Sequence, residues 1–329
     1  MSMFPTKILL ATDGSEDAEL AATTAVGLAR STSSELHVVH TWRPVPSVHF
    51  DALIRREMER DAQGILDEQV TKIEGLGATV AQARLSEGGA AEEIAALAEE
   101  RGAGLLAVGS RGRGRIRRAL MGSVSDAVVR QARCPVMVVR WKPVVFPAKI
   151  LLATDGSEEA TVAAQIVTDL GERTGSEVHV VHVGEIPSTH YPDRYGYRAL
   201  YEEHESEARQ LLEAQVTKIE GLGGAVAQAH LRLGRADEEV VVLAEELGVD
   251  LIAMGGRGLG RASRALMGSV SDSLVRNAHC PILVVRKLAK GTAAPRRVQH
   301  LPQADPRGDG CRAPESRARA LRDTLQGLP

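Results

Sequence analysis

Aromatic residues make up only 3% of this 329-residue chain, and cysteine occurs three times. So few rings exclude an aromatic core and leave Val, Leu, Ile and Ala to fill the interior, the composition of buried parallel strands covered by helices. Cys134, Cys280 and Cys311 are too few for a disulfide framework, and no CxxC pair or His-rich spacing points to a metal. Cys134 and Cys280 each precede a proline and a strand-like run, where a small buried thiol is expected. No apolar run approaches the ~20 residues of a membrane span. The opening MSMFPTKILLAT passes straight into a strand pattern, without the charged segment and apolar stretch of a secretory leader. A cytosolic protein, off the membrane, is expected. From Lys287 onward nine Lys/Arg stand against four Asp/Glu, so the net charge of −3 divides into a tail of about +5 and a body of about −8. So acidic a body gives no reason to expect nucleic-acid binding.

What the chain has in quantity is itself. KILLATDGSEDA at Lys7–Ala18 returns as KILLATDGSEEA at Lys149–Ala160, and ELHVVH at Glu35 returns as EVHVVH at Glu177. QVTKIEGLG at Gln69 returns at Gln215, with an offset four residues larger, so the second copy carries a short insertion after His182. Two copies of this length are tandem domains: 1–142 and 143–286, with 287–329 read as a disordered basic tail. Each copy alternates strand and helix. The first copy's strands are expected at Lys7–Thr12, Glu35–Thr41, Thr79–Leu85, Leu105–Gly109 and Val136–Arg140. Ala163, Ile166, Val167 and Leu170 are spaced for one helix face, as are Ile94, Leu97 and Ala98. The expected fold is α/β: two doubly wound domains, each a parallel sheet with helices on both faces.

Two stretches carry candidate chemistry. GSRGRGRIRRALMGSVS (Gly109–Ser125) returns as GGRGLGRASRALMGSVS (Gly255–Ser271). Gly109 ends the fourth strand, Gly112 follows in the turn, and Gly122-Ser123 opens a helix whose first amides and positive end suit an anion. Ser123 and Ser125 offer hydroxyls, and Arg111, Arg113, Arg115, Arg117 and Arg118 lie between. The competing reading is structural: SVSD at Ser123–Asp126 and Ser269–Asp272 has capping-box spacing. ATDGSE divides in the same way. Asp13 and Asp155 end first strands, where a carboxylate serves a ribose hydroxyl or a magnesium ion carried by phosphates, or else the next helix is simply capped.

A first strand ending in DGS, an HVVH second strand and G-x2-G-x9-G-S after the fourth resemble the universal stress protein family, twice over, across residues 4–141 and 147–286. The resemblance implies a five-stranded parallel sheet in order 3-2-1-4-5 with ATP bound at the switch between strands one and four. By position, Thr12, Asp13 and Gly14 would contact adenosine and backbone at Thr41 the adenine. Phosphates would lie on Gly109, Gly112, Gly122, Ser123, Val124 and Ser125, with Ser110, Arg111, Arg113, Gly114 and Arg115 close by. In the second copy the set is Thr154, Asp155, Gly156, Val183, Gly255, Gly258, Gly268, Ser269, Val270 and Ser271, with Gly256, Arg257, Leu259, Gly260 and Arg261 between. Magnesium would enter with the nucleotide, against Asp13 or Asp155. Leu259 and Ala262 replace Arg113 and Ile116, and HYPDRYGYRALYEEH adds Tyr191, Tyr195 and Tyr197 near the second adenine side, so the two sites are expected to differ.

The chain has no P-loop lysine motif, no dinucleotide fingerprint after its first strand and no G-x-S-x-G elbow. His37, His40, His179 and His182 fall in or at the end of second strands, where packing and one hydrogen bond account for them. The expectation is a nucleotide-dependent stress sensor or regulator with slow turnover at most, not an enzyme. A weak ATPase or phosphotransferase built on Asp13 or Asp155, and a dimerisation scaffold whose glycine loops only cap helices, are the alternatives. The resemblance also implies pairing through fifth strands, PVMVVR and PILVVR, within one chain as a pseudo-dimer, with further homodimerisation and protein partners open.

Overall fold

A computed structural model describes residues 6–44, 52–112, 121–141, 148–186, 197–258 and 267–286. The first half runs β1 (Lys7–Ala11), α1 (Glu16–Thr32), β2 (Glu35–Trp42), α2 (Ala52–Gly75), β3 (Val80–Glu87), α3 (Ala90–Arg101), β4 (Leu105–Gly109), α4 (Ser123–Gln131) and β5 (Val136–Val139). The second repeats it: β6 (Lys149–Ala153), α5 (Glu158–Thr174), β7 (Glu177–Gly184), α6 (Tyr197–Gly221), β8 (Gln228–Leu233), α7 (Ala236–Leu247), β9 (Leu251–Gly255), α8 (Ser269–Asn277) and β10 (Ile282–Val285). The strand positions read from sequence match within two residues. The expectations for the basic tail and for Tyr191 and Tyr195 lie outside the described residues.

Strand order is β3-β2-β1-β4-β5-β10-β9-β6-β7-β8, so each half has the 3-2-1-4-5 order and all ten strands share one sheet. Pairing within each half is parallel. At the seam β5 meets β10 antiparallel, with Val138 opposite Ile282, Met137 opposite Leu283 and Val136 opposite Val284. Two strand edges that would otherwise stand open cover each other, and the sheet becomes an intrachain pseudo-dimer.

Apolar packing continues across that seam on both faces. One layer joins Ile8, Leu10, Leu105 and Met137 to Ile150, Leu251 and Leu283 beneath α1, α2, α5 and α6. The other joins Leu9, Leu106 and Val138 to Leu151, Ile252 and Ile282 beneath α3, α4, α7 and α8. Period-two alternation along each strand supplies the two layers, and because both are buried the sequence shows no polar face. Ala163, Ile166, Val167 and Leu170 are buried together, as are Ile94, Leu97 and Ala98.

Arginines reinforce the seam in a reciprocal pattern. Arg140, past β5, donates from Nη1 to the Arg276 carbonyl near the end of α8, and Arg286, past β10, does the same to Arg130 near the end of α4. Each half thus supplies a cation to the electronegative end of the other's helix. Burial holds both guanidiniums below the ordinary arginine range.

Candidate functional site

The ends of β1 and β4 are neighbours, and the connections leaving them diverge to opposite faces of the sheet. That divergence opens a crevice, as at the switch point of doubly wound sheets generally. Here it is a cleft of about 620 Å³. Thr12, Asp13, Thr41, Gly109, Arg111, Gly112, Gly122, Ser123, Val124 and Ser125 all line it, so most of the first-half candidates come together. Thr41 does so from inside β2 and not from beyond it, because that strand continues to Trp42; Val183 sits likewise inside β7.

Local chemistry fixes the floor. Gly14 takes φ +72°, a left-handed turn open to glycine at little cost. Asp13 Oδ1 accepts from the Ser15 amide at 3.0 Å, and Ser15 Oγ caps α1 by accepting from the Ala18 amide at 3.3 Å. The Thr12 carbonyl accepts from His40 Nδ1 at 2.7 Å, which places a proton on that nitrogen and assigns the ring a structural task. The second half repeats each device: Gly156 at φ +79°, Asp155 with Ser157, and His182 on the Thr154 carbonyl at 2.8 Å.

The glycines divide by role. A methyl group on Gly109 would stand 2.6 Å from the Asp17 carbonyl carbon and 2.7 Å from the Ala18 amide, so the first turn of α1 packs directly on the end of β4. Gly255 meets the start of α5 in the same way. These two glycines serve helix–strand packing. Gly112 is different: a methyl there would run into Asp13 Oδ2, and on Gly258 into Asp155 Oδ2. Its bare backbone leaves the carboxylate its place in the cleft wall.

The capping-box reading of SVSD does not survive. Gly122 is the N-cap of α4 and Gly268 of α8, neither with a side-chain cap, and Ser123 and Ser269 are already inside their helices. Ser125 Oγ donates to the Gly109 carbonyl at 2.7 Å, and Ser271 to Gly255 at 2.9 Å, so these hydroxyls pin helix to strand and are not aimed outward as donors. Asp126, one position too far along for the box, instead receives Arg130 at 3.0 Å and Arg276 at 3.1 Å. The helix start therefore presents its leading amides to the cleft without a competing side-chain cap, while Ser123 is exposed at the mouth.

Ser110 falls outside the cleft: its hydroxyl donates to Asp17 Oδ2 at 2.7 Å. In the second half Gly256 and Glu159 occupy the matching places, and Glu159 pairs with Arg257 at 3.0 Å. Arg257 is thereby neutralised, whereas Arg111 lines the first cleft with its guanidinium 6.0 Å from the Trp141 ring centre. Arg113, Gly114, Arg115, Arg117, Arg118, Leu259, Gly260 and Arg261 lie outside the described residues. Sequence reasoning missed the apolar wall of Ala90, Ile94, Val108 and Met121, and missed Asp126 and Arg276.

The universal stress protein family model matches residues 5–140 and again 148–286. The chain belongs to the universal stress protein family. A universal stress protein of Mycolicibacterium smegmatis is 28% identical over 296 residues, spanning 85% of this chain and 96% of the relative, so it shares the tandem layout. A single-copy relative from Methanocaldococcus jannaschii is 32% identical over 143 residues, 43% of this chain and 84% of its own. In structure, a universal stress protein from Archaeoglobus fulgidus superposes with a TM-score of 0.66 over 87% of this chain and 98% of that one, at 24% identity, a likeness of fold. No helix among the described residues of this tandem universal stress protein is long and apolar enough to cross a membrane.

Proposed function

We propose that the first-half cleft binds an adenine nucleotide, ATP with magnesium, and that the protein works as a nucleotide-dependent regulator with little turnover. One observation carries the reading: a single cleft is lined both by apolar side chains and by an uncapped helix start. Ala90, Ile94, Val108 and Met121 suit a flat apolar base, Asp13 a ribose hydroxyl, and the amides after Gly122 a polyphosphate. The fit to the phosphates is physical. The wall at Gly112 and Gly122 is bare backbone, and Arg111 keeps a buried Nε without a hydrogen-bond partner, as Arg257 does in the second half. Magnesium, carried in by the nucleotide, would neutralise phosphate charge next to Asp13. The second half carries the same frame and, with Arg257 held by Glu159, binds more weakly.

Limited turnover follows from how the polar groups are used. Asp13 accepts from the Ser15 amide, Ser125 donates to a carbonyl and His40 Nδ1 donates to the Thr12 carbonyl. Each is tied into the frame, a poor position for activating water. The test is a pair of variants in the full chain. Gly112→Val forces Asp13 from its place, and Asp13→Asn removes the charge with little change in shape. Weakened ATP binding in both folded variants is expected, together with phosphate release close to the uncatalysed rate in the wild type. Wild-type affinity in both, or rapid phosphate release, contradicts the proposal.

A further inference from the structure

Arg276 belongs to the second half, in the last turn of α8, yet it lines the cleft of the first. Its Nη2 lies 3.1 Å from Asp126 Oδ1 and its Nε 2.9 Å from Asp272 Oδ2. Arg130 mirrors it from the first half, 3.0 Å from Asp126 and 2.6 Å from Asp272. The four side chains form a closed square of alternating charge on the seam, and two of its corners, Asp126 and Arg276, are cleft wall.

The Asp126 corner creates a conflict which its two arginines resolve. Asp126 stands in the first turn of α4, in the same wall as the amides offered to an anion. Unpaired, that carboxylate would repel a polyphosphate at short range, and Arg130 and Arg276 neutralise it together. We propose that Arg276 is a working part of the first-half nucleotide site, a guanidinium lent by the second half that joins Arg130 in cancelling Asp126 and shares in binding the polyphosphate. The inference rests on the nucleotide reading above and adds to it: neither half alone completes this site. A guanidinium suits the task because its fork holds two carboxylates and keeps its charge at any physiological pH. Phosphate then competes with Asp126 and Asp272 for one cation, so occupancy of the cleft is felt at the seam. The two halves are coupled through a side chain and need no large movement.

The experiment is competition binding of ATP with magnesium to the full chain in a Gly258→Val background, where the added side chain runs into Asp155 and disables the second site. Arg276→Gln is expected to weaken binding by ~10-fold or more and to flatten its salt dependence. Arg276→Lys, which keeps charge and loses the fork, falls between. Asp126→Asn is expected to strengthen binding several-fold, an outcome that loss of packing does not produce. If the background protein binds ATP while Arg276→Gln and Asp126→Asn bind it equally well, Arg276 has no part in the site and the nucleotide reading stands. Should Arg276→Gln fail to fold, the direction of change in Asp126→Asn decides alone. Wild type and background that both ignore ATP and inorganic tripolyphosphate overturn the nucleotide reading and this inference with it.

Discussion

Single residues carry two tasks in this protein, and the structure separates them. Gly109 opens the glycine signature, yet the space its missing side chain leaves is taken by the backbone of α1. Gly109→Ala is therefore expected to cost about 1–3 kcal/mol of stability by overpacking, read as a lower urea midpoint, before any effect on a ligand. Gly112→Ala meets a side-chain carboxylate and not backbone, and is expected to spare stability by comparison. The thiols give a second check. Burial pushes Cys134 up to about 11 and Cys280 up to about 12, so both stay protonated and inert at neutral pH. Alkylation of the native protein followed by mass spectrometry should leave these two unmodified until denaturant is added. Asp13 and Gly112 were legible in the sequence because each sits in a contiguous motif. Arg276 was not, since nothing local in RNAHCP distinguishes an arginine that crosses the seam. The exchange of Ser110 with Asp17 for Gly256 with Glu159 was equally silent, because the two changes lie 93 residues apart in the chain.

At the scale of elements, the repeat made strands and helices easy to place, and their ends were harder. SVSD has the spacing of a capping box, but the glycine before it takes the N-cap position and moves the register by one. The serine expected to cap is then inside the helix, and its neighbour Ser125 reaches back to β4. No propensity argument finds this, because the choice depends on the Gly122 amide bonding to the Ser110 carbonyl at 2.8 Å. The C-terminal ends of α4 and α8 were wholly illegible, since their partners come from the opposite half. Arg140→Ala leaves the Arg276 carbonyl without its cross-seam donor, and a loss of about 1–3 kcal/mol in denaturant unfolding is expected. Arg286→Ala should do the same for α4, by pseudo-symmetry.

For the whole molecule, the resemblance carried by the repeated motifs reached further than periodicity alone. Both halves have the order inferred, and the fifth strands pair as the family resemblance implied. What could not be read was that the two cores fuse into continuous layers above and below one sheet. That depends on β5 and β10 aligning so that Met137 and Leu283 share a face. The seam also has a pH signature. Hydrogen bonding and charge from Arg276, with Arg130 adding to it, hold the Asp272 carboxyl below the usual aspartate range. A depressed folded pKa contributes stability above the unfolded value of ~3.9 that is lost as pH falls through the folded one. Asp272→Asn is expected to be less stable than wild type at pH 7 and to show a shallower decline below about pH 4 in thermal unfolding.

One measurement bears on the centre of the account: equilibrium dialysis of labelled ATP with magnesium against the unmodified full chain. Saturable binding with a dissociation constant below about 1 mM, diminished by Gly112→Val, is the predicted result. Retention of ATP no greater than an inert protein's across that range would contradict it, and the cleft between β1 and β4 would then be a seam of packing without a guest.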